Sequence, residues 1–175
     1  MELAPEWQLL LKNMQKDKLT KSQLFRLLKT IAKDIGIDEV IEFCSSIRQE
    51  CRYVNKPLRE RYIKLYTQSF MDPLMDLKSK SFHSEEKIDL AKFIYCVRRL
   101  FEMQASKILI ISVLYFTFVK EEPFHPIGTP FPGGFIVRKK KGVFYCPVKE
   151  KQEDNKNATC DMCVAFQDPK VALNA

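Results

Sequence analysis

The composition of the chain changes sharply at Glu121, and this change most constrains the fold. Before it, apolar residues recur at three- and four-residue steps over long stretches; after it, four prolines fall within residues 123–132, interspersed with glycines. Proline lacks an amide donor and has a fixed φ angle, so this segment should form neither regular helix nor sheet. We therefore predict a mainly α fold, with a helical core at residues 1–120 and an appendage at residues 121–175 that packs on it within one domain.

The periodic part of the sequence predicts a bundle of about five helices. Thr20 and Gln23 have the spacing of a capping box for the first of these helices, and Gly36 should end it. Asp38 is a candidate N-cap for the second helix, which carries an apolar stripe to residue 54.

The next two helices are predicted on either side of a connection. Pro57 suits the first turn of the third helix, which we expect to end near Phe70. Residues 71–83 should form a connection, with Pro73 as the breaker, and Ser84 should begin the fourth helix.

The fifth helix is predicted at residues 107–119, where the sequence is apolar on every side. Such a helix belongs at the centre of a bundle. The run is too short for a membrane span, which needs about 20 residues, and the start of the chain lacks the charge pattern of a signal peptide. We therefore expect a soluble, cytoplasmic protein with no membrane partner.

After the Pro/Gly loop, residues 135–138 and 143–146 read as the strands of a short β-hairpin. A two-stranded ribbon is only marginally stable alone in water. We therefore expect the hairpin to be stapled to the helical core, and a metal ion at its end is the candidate clamp. Residues 160–167 are a candidate for a last short turn of helix.

The six cysteines fall into two sets. Cys44, Cys51 and Cys96 occupy apolar stripes at helical spacing, where free cysteine behaves as a small hydrophobe, so we interpret them as core residues. Cys146, Cys160 and Cys163 lie in polar, turn-rich sequence where packing does not account for them.

The second set suggests a metal centre. Three thiolates with the imidazole of His125 would make a closed Cys3His zinc site. Three alternatives remain open: an iron–sulfur cluster completed by Cys96 or an unusual ligand, a redox Cys-x-x-Cys pair without metal, and thiols with no special role. His125 could instead hydrogen-bond the turn around Gly128 and Thr129.

The chain carries 29 Lys and Arg against 22 Asp and Glu, a net charge of +7. A basic surface favours polyanionic partners, so nucleic acid is a possible partner, although most of the basic residues are scattered. Arg138–Lys141 is an unbroken basic run, which we expect to be an exposed contact surface.

Three C-terminal segments carry a family resemblance: HPIGTPFPGG at residues 125–134, YCPVKEKQ at 145–152 and CDMCVAFQD at 160–168. They resemble uncharacterised protein family 0305, found mainly in methanogenic archaea. The resemblance implies an archaeal cytoplasm with reduced thiols, and it implies no established activity. The helical part resembles the family only in general character.

Together these features predict a non-enzymatic binding or assembly factor with a structural zinc ion and an unidentified protein partner. An iron–sulfur or redox protein of anaerobic metabolism and a nucleic-acid-binding protein are the alternatives. The motifs of zinc proteases and of serine hydrolases are absent from the sequence.

Overall fold

A computed structural model of the chain describes residues 4–152 and 154–171. Within these residues the fold is mainly helical, with two small sheets. The helices are α1 (Pro5–Met14), α2 (Lys21–Lys33), α3 (Ile37–Glu50), α4 (Lys56–Ser79), α5 (Leu90–Glu102) and α6 (Lys107–Leu114). A 3₁₀ turn (Cys51–Tyr53), a π-helical turn (Tyr115–Lys120) and a second 3₁₀ turn (Glu150–Gln152) complete the helical elements. The strands are β1 (Pro130–Phe131), β2 (Phe135–Ile136), β3 (Arg138–Lys140), β4 (Val143–Cys146) and β5 (Phe166–Gln167).

The start of α2 confirms the capping box. The Thr20 hydroxyl accepts from the Gln23 amide, and the Gln23 side chain accepts from the Thr20 amide. The end of this helix differs from the prediction, because α2 stops at Lys33 and Gly36 is the N-cap of α3 in an extended conformation. Asp38 therefore lies in the first turn of α3 and is not its cap. Sequence analysis also did not identify α1, which buries Trp7 and Leu10.

Helix α4 begins next to Pro57 as predicted, but it continues through Pro73 to Ser79. Pro73 and its neighbours Leu74 and Leu77 are buried there. An internal proline costs a helix about 3 kcal/mol, and burial of this apolar face in the bundle offsets that cost. The predicted break at residue 71 was therefore wrong.

Helix α5 begins at Leu90 with Asp89 as its N-cap, and not at Ser84. Residues 84–88 are not helical, because their backbone bonds the start of α2. The amides of Lys21 and Ser22 donate to the carbonyls of Glu86 and Ser84, and the Ile88 amide donates to Leu19. These long-range bonds replace the helical hydrogen bonds that the local sequence favours.

Helix α6 and the π-helical turn after it occupy the predicted helix at residues 107–119, and almost every side chain in them is buried. The helix packs against α2 and α4, as a helix that is apolar all round should. No helix in the described part of the chain combines the length and the hydropathy that a membrane crossing requires.

The predicted hairpin is present with a different first strand. Strands β3 and β4 pair as Arg138 with Tyr145 and Lys140 with Val143, while residues 135–136 pair with β1. The Pro/Gly segment therefore contains a strand that its composition argued against. Lys141 and Gly142 connect the strands with positive φ angles, as a two-residue hairpin turn requires.

The hairpin gains a third strand, because β5 pairs with β4 in parallel at Tyr145–Phe166 and Cys146–Gln167. Residues 166–167 are thus a strand and not the end of a last helical turn. This strand is followed by Asp168, whose carboxylate accepts two hydrogen bonds from the Arg138 guanidinium. The third strand and the Arg138–Asp168 pair therefore hold the ribbon, and the metal-clamped hairpin is unsupported.

Candidate functional site

The three C-terminal cysteines lie on two segments that meet beside the helical core. Cys146 is the buried last residue of β4, and its carbonyl accepts from the Asp168 amide. Cys160 and Cys163 flank a tight turn closed by the Cys163 amide and the Cys160 carbonyl. The Lys149 ammonium donates to the carbonyls of Cys163 and Ala165, and so fixes this turn to the chain just after β4.

The four predicted ligands line one small cavity. Its volume is about 10 Å³, close to the minimum that holds a single water molecule. The cavity is lined by Phe124, His125, Cys146, Lys149, Thr159, Cys160 and Cys163. The tertiary structure therefore brings the sequence-predicted residues to a common place.

The side chains around this cavity do not form a ready metal centre. In residues 4–152 and 154–171, no group of three or more His, Cys, Asp or Glu side chains is close enough together to hold a metal ion. Burial raises the pKa of Cys160 to about 12 and also raises the pKa of Cys146. These two thiols are therefore protonated at neutral pH in this arrangement.

The other cysteines lie in the helical core or at its edge. Cys51 and Cys96 are buried there, as predicted, whereas Cys44 is half-buried. Burial raises the pKa of Cys96 to about 12. Cys96 packs among the apolar side chains of the bundle and does not line the small cavity. It is therefore not placed to be the fourth thiolate of an iron–sulfur cluster there.

His125 is surrounded by aromatic side chains. Its ring stacks on Tyr66 with centroids 5.2 Å apart, and its Nε2 lies 3.4 Å from the Tyr62 hydroxyl. Phe124 and Phe131 meet the ring edge-on. Loss of solvent around the ring lowers the pKa of His125 to about 4, so the imidazole is neutral at physiological pH.

The turn that follows His125 is held by other groups. The Thr129 hydroxyl donates to the Pro126 carbonyl, and the Gly128 amide donates to Val137. Gly128 has a φ of 86°, a conformation that glycine adopts without strain. The His125 ring contacts the aromatic side chains around it, whereas Thr129 and Gly128 hold this turn.

A second, larger cavity of about 360 Å³ adjoins the small one and shares His125, Thr159 and Cys160 with it. We call it the aromatic cleft. One wall comes mainly from α3 and α4, and the opposite wall comes from Val148, Gln152, Asn155 and residues 157–160. Its aromatic lining residues are Phe43, Tyr62, Tyr66, Phe70 and Phe131.

Sequence analysis missed the aromatic cleft. Tyr62 and Tyr66 fall within the predicted third helix, and no part in a site was predicted for either. Their four-residue spacing places both phenol rings on one face of α4, and this was the available signal. The opposite wall comes from a loop nearly a hundred residues later in the chain, so only the tertiary structure reveals the cleft.

In the basic run Arg138–Lys141, fewer side chains are available as a charged surface than the sequence suggested. Arg138 is half-buried, pairs with Asp168 and lies over the Tyr145 ring. The Lys139 ammonium lies 4.5 Å from the centroid of the Phe144 ring. Lys140 and Lys141 are exposed at the hairpin turn. The run contributes to the structure of the ribbon as well as to surface charge.

Comparison with known proteins identifies the family. A family model described as an uncharacterized protein conserved in archaea (DUF2115) matches residues 20–168. The chain belongs to this family. The match includes the helices from α2 onward, so the similarity extends well beyond the C-terminal motifs on which the sequence resemblance rested.

Relatives of this DUF2115 chain occur in methanogens. A UPF0305 protein of Methanothermobacter thermautotrophicus is 42% identical over 83% of this chain and 95% of its own length. A second UPF0305 protein of the same organism is 33% identical, over 88% of this chain and 100% of its own length. One from Methanocaldococcus jannaschii is 26% identical over 81% and 93%. No solved structure matches the chain significantly.

Proposed function

We propose that the protein binds one zinc ion through Cys146, Cys160, Cys163 and His125, and acts as a non-enzymatic binding or assembly factor. The observation that supports this proposal is the convergence of these four residues on a cavity of about 10 Å³. Three soft sulfur ligands and an imidazole are the donor set that zinc takes in structural sites.

The charges around the small cavity suit a zinc–thiolate centre. A zinc ion with three thiolates has a net charge of −1, and Lys149, which also lines the cavity, supplies a positive charge. Its ammonium already donates to the Cys163 carbonyl. Burying a charged cluster is costly unless an opposite charge is nearby, and this lysine would supply that charge.

Metal binding requires the ligand side chains to close on the ion, since the thiols are not yet grouped. Because backbone hydrogen bonds and Lys149 hold the turn at Cys160 and Cys163, we expect side-chain rotation to bring the sulfur atoms together. Tyr62 contacts Nε2 of His125, which would leave Nδ1 for the ion.

Elemental analysis and an absorption spectrum of protein purified without oxygen test the proposal. We expect one zinc ion per chain and no visible colour. Cys160→Ser and Cys163→Ser should lose the ion, whereas Cys44→Ser, a matched change outside the cavity, should retain it. Circular dichroism of each variant establishes that the helices are intact.

Two results would contradict the zinc site. Visible absorption with iron and sulfide would support the iron–sulfur alternative. Metal-free protein that retains all its thiols, and that takes up no added zinc, would show that the cavity holds no ion. Equal metal loss in Cys160→Ser and Cys44→Ser would show that the division of the cysteines into two sets is wrong.

A further inference from the structure

We propose that the aromatic cleft binds an uncharged, planar heteroaromatic ring of nucleoside size. This inference goes beyond the zinc site and does not require the ion, because it depends on the side chains of the larger cavity.

The size of the cleft suits a small molecule. Its volume of about 360 Å³ falls within the range of roughly 300–1,000 Å³ typical of ligand pockets. It lies where α3 and α4 meet the loop that contains Gln152 and residues 157–160.

The helical wall presents aromatic rings that are already ordered. Tyr62, Tyr66 and Phe70 follow one another at four-residue steps on α4, and Phe43 reaches them from α3. The centroids are 5.5 Å apart for Tyr62–Tyr66, 5.0 Å for Tyr66–Phe70 and 4.5 Å for Phe43–Phe70. Rings fixed by one another lose little entropy on binding, and they favour a flat π-system over an aliphatic one.

On the opposite wall, the described residues that line the cleft bring uncharged polar side chains to it. Gln152, Asn155 and Asn157 bring side-chain amides to the cleft, and Ser46 and Thr159 bring hydroxyls. Amides both donate and accept hydrogen bonds, so they can match the mixed donors and acceptors on the edge of a heteroaromatic ring. Gln152 and Asn155 already bond each other, and an aliphatic ligand would displace water from the other polar atoms of this wall without replacing its hydrogen bonds.

Charge further narrows the ligand class. Among the described residues that line the cleft, none belongs to Asp, Glu, Lys or Arg. A carboxylate, phosphate or ammonium group placed against these walls would lose hydration without gaining an ionic partner. The chemistry on the two walls therefore matches a neutral ring with a polar edge.

Isothermal titration of the chain of residues 1–175 with adenosine and with guanosine tests the proposal. We expect at least one of them to bind. Phe43→Leu keeps an apolar side chain but removes one aromatic face, and it should weaken binding about 5-fold or more, since stacking on one aromatic side chain contributes about 1–3 kcal/mol. Phe166→Leu, a matched change at an exposed position outside the cleft, should leave the affinity unchanged.

A second variant tests the polar wall without risk to the core. Gln152→Ala should weaken binding roughly 2- to 13-fold, the equivalent of one net hydrogen bond. Gln49→Ala, at an exposed position on α3, is its control. Thermal unfolding of all four variants shows whether each is folded at the temperature of the titration.

Three outcomes would overturn the inference. The first is that the folded protein binds neither nucleoside, and the second is that it binds cyclohexanol, which has no π face, with equal affinity. The third is that AMP binds at least tenfold more tightly than adenosine, which would show that phosphate is recognised. Cys163→Ser separates this inference from the zinc proposal, because Cys163 lines only the small cavity: it should lose the ion and still bind the nucleoside.

Discussion

The helical part of the chain, residues 4–120, and the C-terminal part, residues 121–171, are stabilised in different ways. A large apolar cluster with contributions from α1 to α6 fills the first part. The second has a small apolar cluster, whose buried members among the described residues are Phe131, Val137, Phe144, Cys146 and Ala165. Three short strands cannot enclose more apolar surface, so polar contacts take a larger share of the stabilisation.

Those polar contacts join segments that are distant in sequence. Arg138 and Asp168 link β3 to the residue after β5, and Lys149 fixes the turn that contains Cys163. Thr117, at the end of the helical part, donates to the Met162 carbonyl. The strength of charged hydrogen bonds depends on pH and on bound ions, whereas that of apolar contacts does not. The stability of the two parts should therefore respond differently to pH and to ions.

The largest expected effect is in the helical core. Phe93 is fully buried on α5 and meets Phe118 edge-on. Phe93→Ala should lower the free energy of unfolding by about 3–5 kcal/mol, from lost burial and the cavity left behind. Phe166→Ala, at a position 63% exposed on β5, should change it by less than about 0.5 kcal/mol. Urea unfolding measures both; similar losses would contradict the difference between the two parts.

A smaller effect is expected from the ion pair of the C-terminal part. Asp168 is 3% exposed and accepts two hydrogen bonds from Arg138. Asp168→Asn should cost about 1.5–3 kcal/mol, the range for hydrogen bonds to charged groups. In this variant, hydrogen exchange should accelerate more in β3, β4 and β5 than in α6. Asp154→Asn, at an exposed position, should change neither the free energy of unfolding nor the exchange rates. An equal increase in the exchange rates of the helices and of these strands would show that the two parts unfold as one unit.

The same pair predicts a pH dependence. The hydrogen bonds from Arg138 hold the pKa of Asp168 below its ordinary value of 3.8. A lowered native pKa contributes stability above the unfolded value, and this contribution is lost as the pH falls through the native pKa. The difference in unfolding free energy between the wild type and Asp168→Asn should therefore be largest at neutral pH and shrink below about pH 4. A constant difference across this range would exclude the ionised carboxylate as its cause.

The smallest effect concerns a local polar contact within the helical part. Thr20→Ala removes the side chain that caps α2 and should cost about 1 kcal/mol. Thr30→Ala is the control, because the Thr30 hydroxyl only bonds back to the Arg26 carbonyl inside the same helix. Thermal unfolding compares the two variants. Equal effects would show that the cap contributes no more than a side chain within the helix.

Local signals predicted the features that depend on neighbours in sequence. The capping box at Thr20 and Gln23, the proline start of α4 and the buried helix that includes α6 were all confirmed. The hairpin was found with a different first strand, because residues 135–136 pair with β1 instead. The candidate site was predicted only as a set of residues: Cys146, Cys160, Cys163 and His125 reach one cavity, while their binding of zinc stays a prediction.

The sequence alone determined where most helices run and which cysteines lie outside apolar stripes, because helical periodicity, capping and turn chemistry act over a few residues. Only the tertiary structure decided that α4 passes through Pro73, that residues 84–88 bond α2, and that β5 completes the ribbon. It also decided that the aromatic face of α4 meets an amide-rich loop across a cleft. These features depend on contacts between distant segments, whose free energy exceeds the local preferences of the residues involved.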